Sequence, residues 1–250
     1  MNWDDFAPYY DWEFELICTK QKEDVELWTA MAERFGAPIL DLCCGSGRIT
    51  TALALRGYNI TAVDNSPEML NILKNKQLKK VKTIVADIKD FNLKNQFQLA
   101  IISYSSFQQL LTLNDQIACL DNISKHLIEG GILAMDINPR ICEGDDILKK
   151  TPVFTGDYPL NNSTVTMFTS HKIDRVNQIK HWQDEYLEIT KSGEEKRTNI
   201  YTSLKECSLD LMQLLFDKCN FEIINIYGDF KQGKLTADSE NIIYVARKKR

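Results

Sequence analysis

Residues 39–70 read "ILDLCCGSGRITTALALRGYNITAVDNSPEML", and this stretch decides the fold. It opens as a continuous apolar run, the pattern of a strand covered on both faces, and breaks at a turn made by Gly45, Ser46 and Gly47. "RITTALALRG" then has apolar residues at helical spacing and stops at Gly57, and "YNITAVD" is a second apolar run ending on Asp64. A strand, a glycine turn, a helix and a strand in this order hold a ligand at the turn. The glycines let it approach the backbone, and the following helix offers free N–H groups. A nucleotide, a dinucleotide and an adenosyl sulfonium would each leave a similar trace.

The rhythm continues outward from this unit. "SPEMLNILKNK" is a helix with Ser66 as its cap, Pro67 in the first helical position and Glu68 adding first-turn charge. "VKTIVAD", "FQLAIIS" and "GILAMDI" are strands three to five, and "NDQIACLDNISKHLIEGG" reads as a helix stopped by its glycine pair. Alternation over residues 37–137 predicts an α/β, doubly wound, Rossmann-like parallel core. Upstream, "KEDVELWTAMAERFG" predicts a helix, so residues 1–36 form an N-terminal helical cap. From Asn138 the pattern changes: "STVTMFTSHKID", "NQIKHWQDEYLEIT" and "EEKRTNIYT" are three β-rich segments, predicting an antiparallel β insertion over 138–202. "SLKECSLDLMQLLFDKCN" restores a helix, and "FEIINIYGDF" and "NIIYVARK" close the chain as strands within 203–250.

With 250 residues and 44% hydrophobic content, a single domain with one sizeable core is expected. The net charge of −5 argues against nucleic acid as a partner, and "ARKKR" at the end reads as a solvated tail. No run approaches the length of an apolar membrane span, and the acidic, aromatic start "MNWDDFAPYYDWEF" is unlike an export signal, so a cytoplasmic protein is expected. The seven cysteines lack the spaced pairs of zinc or redox sites, and His126, His171 and His181 form no ligand motif, so no metal is expected.

Asp64 at the end of strand two can accept both hydroxyls of a ribose, which suits NAD and S-adenosylmethionine alike. Three details separate them. The dinucleotide fingerprint wants a small third residue where "GSGRIT" has Thr50. Asp41, at the entry to the turn, is badly placed for a pyrophosphate and well placed for an ammonium. Asp87 ends strand three, where it can accept from an adenine amino group. An ammonium, a ribose and an adenine set against three carboxylates describe S-adenosylmethionine, whose cationic sulfonium also suits an acidic lining.

On these residues, 37–137 resembles a class I S-adenosylmethionine-dependent methyltransferase. "LDLCCGSGR" is similar to the family's glycine-rich first motif, "AVDNSPEML" to the second, "VADI" to the third and "IISYSSFQQL" to the fourth. Cys43 stands where the pattern has its first glycine, which a small residue can replace if φ stays negative. The resemblance implies a seven-stranded sheet with the last strand antiparallel, and S-adenosylmethionine as cofactor with S-adenosylhomocysteine as product. It implies that Asp41 faces the methionine ammonium, Gly45 and Gly47 give backbone access, and Arg48 completes the first motif at the cofactor. Asp64 takes the ribose, Asn65 and Met69 lie against the adenosine, Asp87 and Ile88 hold the adenine, and Ser103 and Tyr104 line the floor near the methyl group. "FAPYYD" resembles the lead-in of small-molecule methyltransferases, in which a tyrosine closes over the cofactor; here that is Tyr10, with Tyr9 beside it.

For the acceptor, Ser103–Ser106 reads S-Y-S-S, unlike the N/D-P-P-Y/F of enzymes that methylate nucleic-acid bases. The back half is similar to bacterial amino-sugar N-methyltransferases, in which the inserted sheet roofs the active site. Strand alternation puts Asp184 and Tyr186 on one face of the insertion's middle strand, and His181 and Glu185 on the other. Either face can supply a base or hold an ammonium by charge and aromatic contact. The candidate bases are Tyr9, His181 and Glu185; the candidate substrate contacts are Tyr9, Tyr186, Arg197 and Tyr201. The expected activity is methyl transfer to a small molecule or short peptide, with an amine nitrogen favoured over a hydroxyl or carboxyl oxygen, by a monomer or homodimer. The rivals are an NAD-dependent oxidoreductase, for which Tyr104 lacks a lysine four residues on, and a non-catalytic binding module, which leaves the large insertion unexplained.

Overall fold

The computed structural model describes residues 3–17 and 22–250. Helices α1 (Trp3–Ile17) and α2 (Lys22–Phe35) precede an alternating core: β1 (Ile39–Leu42), α3 (Arg48–Leu55), β2 (Ile60–Asp64), α4 (Pro67–Asn75), β3 (Val81–Val85), β4 (Phe97–Ile102), α5 (Leu113–His126) and β5 (Leu127–Ile137). Four strands follow, β6 (Ile147–Tyr158), β7 (Ser163–Asp174), β8 (Ile179–Ile189) and β9 (Glu195–Lys205). Helix α6 (Leu209–Lys218) and strands β10 (Phe221–Tyr227) and β11 (Ile242–Lys248) complete the chain.

The main sheet runs β10-β11-β5-β4-β1-β2-β3, with β11 antiparallel to both of its neighbours. After β3 the chain crosses to the far side of β1 to lay down β4. The connections at the carboxyl ends of β1 and β4 therefore diverge and leave a crevice, the usual ligand position in such sheets. All four residues of β1 are buried, because helices cover the sheet on both faces. Leu40, Leu42, Ala100 and Ile102 pack with α5 and α6, while Ile39, Leu99 and Ile101 pack with α2 and α3 around the fully buried Trp28.

Two predicted boundaries are corrected. Helix α5 ends at His126, before the glycine pair, and "LIEGG" opens β5. Leu127 is buried and pairs with Phe97, so strand pairing overrides the glycine stop. The insertion has four strands where three segments signal β, and it runs to Lys205, beyond the predicted 202. The unpredicted strand, β6, is an edge strand whose residues are mostly exposed and whose register shifts around Pro152, so its sequence lacks the alternation of a half-buried strand.

The inserted sheet β6-β7-β8-β9 packs on α1, not on the main sheet alone. Tyr9, Tyr158, Val165, Met167, Tyr186 and Ile200 form this interface, with Phe6 and Trp12 at its margin. The same helix is pinned to the crevice: Asp11 accepts from Ser46 Oγ at 2.5 Å, and Asp4 accepts from Ser66 Oγ at 2.5 Å at the start of α4. Among the described residues, no helix is long and apolar enough to cross a membrane.

Candidate active site

A cleft of about 650 Å³ opens at the carboxyl ends of β1, β2 and β4. Tyr10, Gly45, Arg48, Asn65, Met69, Ser103 and Tyr104 line it, with Asp64 at its boundary with a wider groove of about 1070 Å³ that Asp87 and Ile88 border. The structure thus brings most of the predicted cofactor residues to one cavity. Asp41 and Gly47 are not in the lining.

Asp41 lies beneath the glycine turn, 1% exposed, where Thr50 Oγ1 donates to its Oδ2 at 2.5 Å and its Oδ1 has no partner. Burial pushes its carboxyl up to about 6, against the Thr50 hydrogen bond and the nearby Arg48 charge. Thr50, which breaks the dinucleotide fingerprint in sequence, here holds this acid. Asp64 accepts from the Gly45 N–H at 2.7 Å and the Ser66 N–H at 2.9 Å, so it fixes the turn while bordering the cleft; burial raises its carboxyl as well. Asp87 is more open, accepting from the Lys89 N–H at 2.9 Å. The Arg48 guanidinium is held by both oxygens of buried Asp24 at 2.5 Å and lies 4.8 Å over the Phe14 ring.

Two features of the turn depart from expectation. Cys43 has φ 54°, so the glycine position of the pattern does need a left-handed backbone, and cysteine adopts it at a steric cost. Gly47, at φ 86°, serves packing: a Cβ there would meet Leu73 Cδ1 of α4 at 2.3 Å. Gly45 does give access, for a Cβ on it would find only the Tyr10 ring, at 4.0 Å.

At the other end of the cleft, the half-exposed Tyr104 stands with its ring 6.1 Å from Phe14. Where α1 meets the insertion, Glu13 of α1 accepts from the Tyr186 hydroxyl, and Asp184 of β8 accepts from Thr169 Oγ1 at 2.6 Å. Burial raises the carboxyl of Glu13 to about 7, opposed by the Tyr186 bond and assisted by the Asp184 charge; burial raises Asp184 too. Among the described residues neither carboxylate is in an ion pair.

None of the predicted bases is in the lining of the cleft or of the wider groove. Tyr9 is buried in the α1–sheet interface, its hydroxyl donating to Glu188 at 2.9 Å and its ring stacked on Tyr186. Glu185 sits on the face of the insertion turned from α1, paired with Lys150 at 2.6 Å and Arg197 at 2.7 Å, which commits Arg197 as well. His181 is on that same face, bonded to Ser203 Oγ at 2.7 Å, and Ser203 borders the wider groove. Tyr186 is buried in the α1–sheet interface, and Tyr201 stands exposed at the rim of the wider groove. Glu13 carried no signal in sequence beyond its place in an aromatic, acidic helix, and Asp136, described below, carried only its position at the end of strand five.

Residues 39–131 match the family model described as a methyltransferase domain. A putative methyltransferase of Bacillus subtilis, YqeM, is 24% identical over 99% of this chain and 98% of its own. An S-adenosylmethionine-dependent methyltransferase from Clostridium acetobutylicum superposes with a TM-score of 0.82 at 18% identity, over 96% of this chain and 98% of that one. The sugar N-methyltransferase KedS8 from Streptoalloteichus superposes with a TM-score of 0.76 at 18% identity, over 96% and 93%.

Proposed function

We propose that this S-adenosylmethionine-dependent methyltransferase places its methyl group on an amine nitrogen of a small molecule or short peptide. The observation that carries the acceptor class is a pair of half-buried carboxylates where α1 meets the insertion, Glu13 and Asp184, neither of which is in an ion pair among the described residues. A carboxylate acceptor would be repelled there, whereas a protonated amine neutralises charge that is otherwise costly to bury. The likeness in fold to a sugar N-methyltransferase supports the same class.

The residues present fit the cofactor. Asp64 suits its ribose hydroxyls, Asp87 its adenine amino group and the bare Gly45 backbone its close approach, while Asp41, buried beneath the turn with an unpartnered Oδ1, sets negative charge under the ammonium end. Bound there, S-adenosylmethionine supplies a methyl carbon activated by its sulfonium. The chain supplies alignment and proton management. Tyr10 and Tyr104 line the cleft with the Phe14 ring against both, and in-line displacement depends chiefly on positioning. Glu13, with its carboxyl raised to about 7, can hold the acceptor's ammonium or take its proton at an Oε atom near neutral pH.

The test is transfer of methyl from S-adenosylmethionine to matched acceptors, read by mass spectrometry: primary and secondary amines against their hydroxyl and carboxyl analogues. Methylation confined to amines is expected. Methylation of the oxygen analogues with amines untouched would overturn the acceptor class.

A further inference from the structure

Tyr104 and Ser105 are consecutive non-glycine residues in left-handed backbone, at φ 60° and 56°, directly after β4. This conformation is disfavoured for any residue with a Cβ, and two in succession need an outside restraint. The restraint is Asp136 near the end of β5. One carboxylate oxygen accepts from the Tyr104 N–H at 2.7 Å, and the other accepts from the Ser105 N–H at 2.9 Å and the Ser105 hydroxyl at 3.3 Å. Consecutive N–H groups in left-handed backbone form a concave anion seat, and here the occupant is a side chain of the fold itself. Asp136 is 2% exposed, and burial pushes its carboxyl up to about 6 against the opposing backbone N–H bonds.

The consequence lies on the other side of the turn. Tyr104 lines the cleft, its ring 6.1 Å from that of Phe14. A turn relaxed to negative φ would carry this ring away from that position. We propose that Asp136 is a positioning residue, which clamps the Tyr104–Ser105 turn from below and so sets Tyr104 at the transfer end of the cleft. This rests on reading the cleft as the S-adenosylmethionine site.

The test is calorimetric titration with two probes. S-adenosylhomocysteine lacks a group at the methyl-bearing position, whereas sinefungin carries an amine there. For Asp136→Asn, the Kd for sinefungin should rise about tenfold and that for S-adenosylhomocysteine by no more than about threefold. Adding Ser105→Gly to Asp136→Asn should bring sinefungin back to within about threefold of wild type, since glycine adopts positive φ unaided. Should Asp136→Asn fail to fold, Ser105→Val attacks the same turn from a half-buried position, and its β-branch should reproduce the selective loss of sinefungin. Equal losses for both probes, no rescue by glycine, or an unaffected Ser105→Val would each overturn the proposal. Wild-type protein that binds neither probe would remove the cofactor reading itself, and that result is seen before any variant is made.

Discussion

A carboxylate buried without an ion pair costs free energy, and the role proposed for Asp41 rests on that cost. Its carboxyl moves from 3.8 to about 6 on folding, a difference on the order of 3 kcal/mol between its two protonation states. The sign follows from a raised acid: the stability it contributes is present below its unfolded value near 3.8 and is lost as pH rises through about 6. Ligand-free protein therefore bears the penalty at neutral pH, and a cationic ligand relieves it. Asp41→Asn should raise the Tm of the ligand-free protein at pH 8, by ~2–4 °C for each kcal/mol recovered, while weakening S-adenosylhomocysteine. Thermal melts with and without ligand check both signs; a variant that melts lower and binds normally would remove Asp41 from the site. Asp41, Asp64 and Asp87 were readable in sequence because each ends or enters a strand of strong apolar pattern. Glu13 and Asp136 were not, because their roles come from partners 173 and up to 32 residues distant.

Helix α1 is the element on which the two halves of the site meet. One side reaches the glycine turn through Asp11 and Tyr10, and another presents Glu13 to the inserted sheet, where Tyr186 and Asp184 face it. Charge removal there should act on the acceptor and spare the cofactor. Glu13→Gln and Asp184→Asn should raise KM for an amine acceptor by about tenfold each, the loss of one charge-assisted contact, with S-adenosylhomocysteine affinity nearly unchanged. Glu13 also sets a pH dependence. Its folded value near 7 lies above its ordinary 4.5, so its contribution to stability declines as pH rises through about 7 while its negative charge, and its hold on an ammonium, increases. Amine kcat/KM in the wild type should rise across that range, with the step missing in Glu13→Gln; an identical profile in the variant would assign the step to another group. Strand alternation correctly separated Asp184 and Tyr186 from His181 and Glu185. Which face packs on α1 and which borders the wider groove depends on how the insertion docks, and the local pattern does not encode that.

For the molecule as a whole, the doubly wound core was legible because its strands and helices carry distinct hydrophobic periods and its turns carry cap residues, as at Ser66, which accepts from the Met69 N–H at 3.1 Å. The relation of the inserted sheet to that core was legible only as an analogy, because it is fixed by aromatic packing on α1 between residues far apart in sequence. The proposal that the cleft seats an adenosyl donor rests on three acids at adjacent strand ends, a glycine turn and an aromatic cover. Calorimetric titration of the wild type and Asp64→Ala with S-adenosylhomocysteine, and separately with NAD, tests this most directly. The wild type should bind S-adenosylhomocysteine in the micromolar range and NAD not at all, and folded Asp64→Ala should lose affinity by roughly 1.5–3 kcal/mol, as buried hydroxyls lose a charged acceptor. Binding of NAD alone, or an undiminished affinity of Asp64→Ala for S-adenosylhomocysteine, would contradict it.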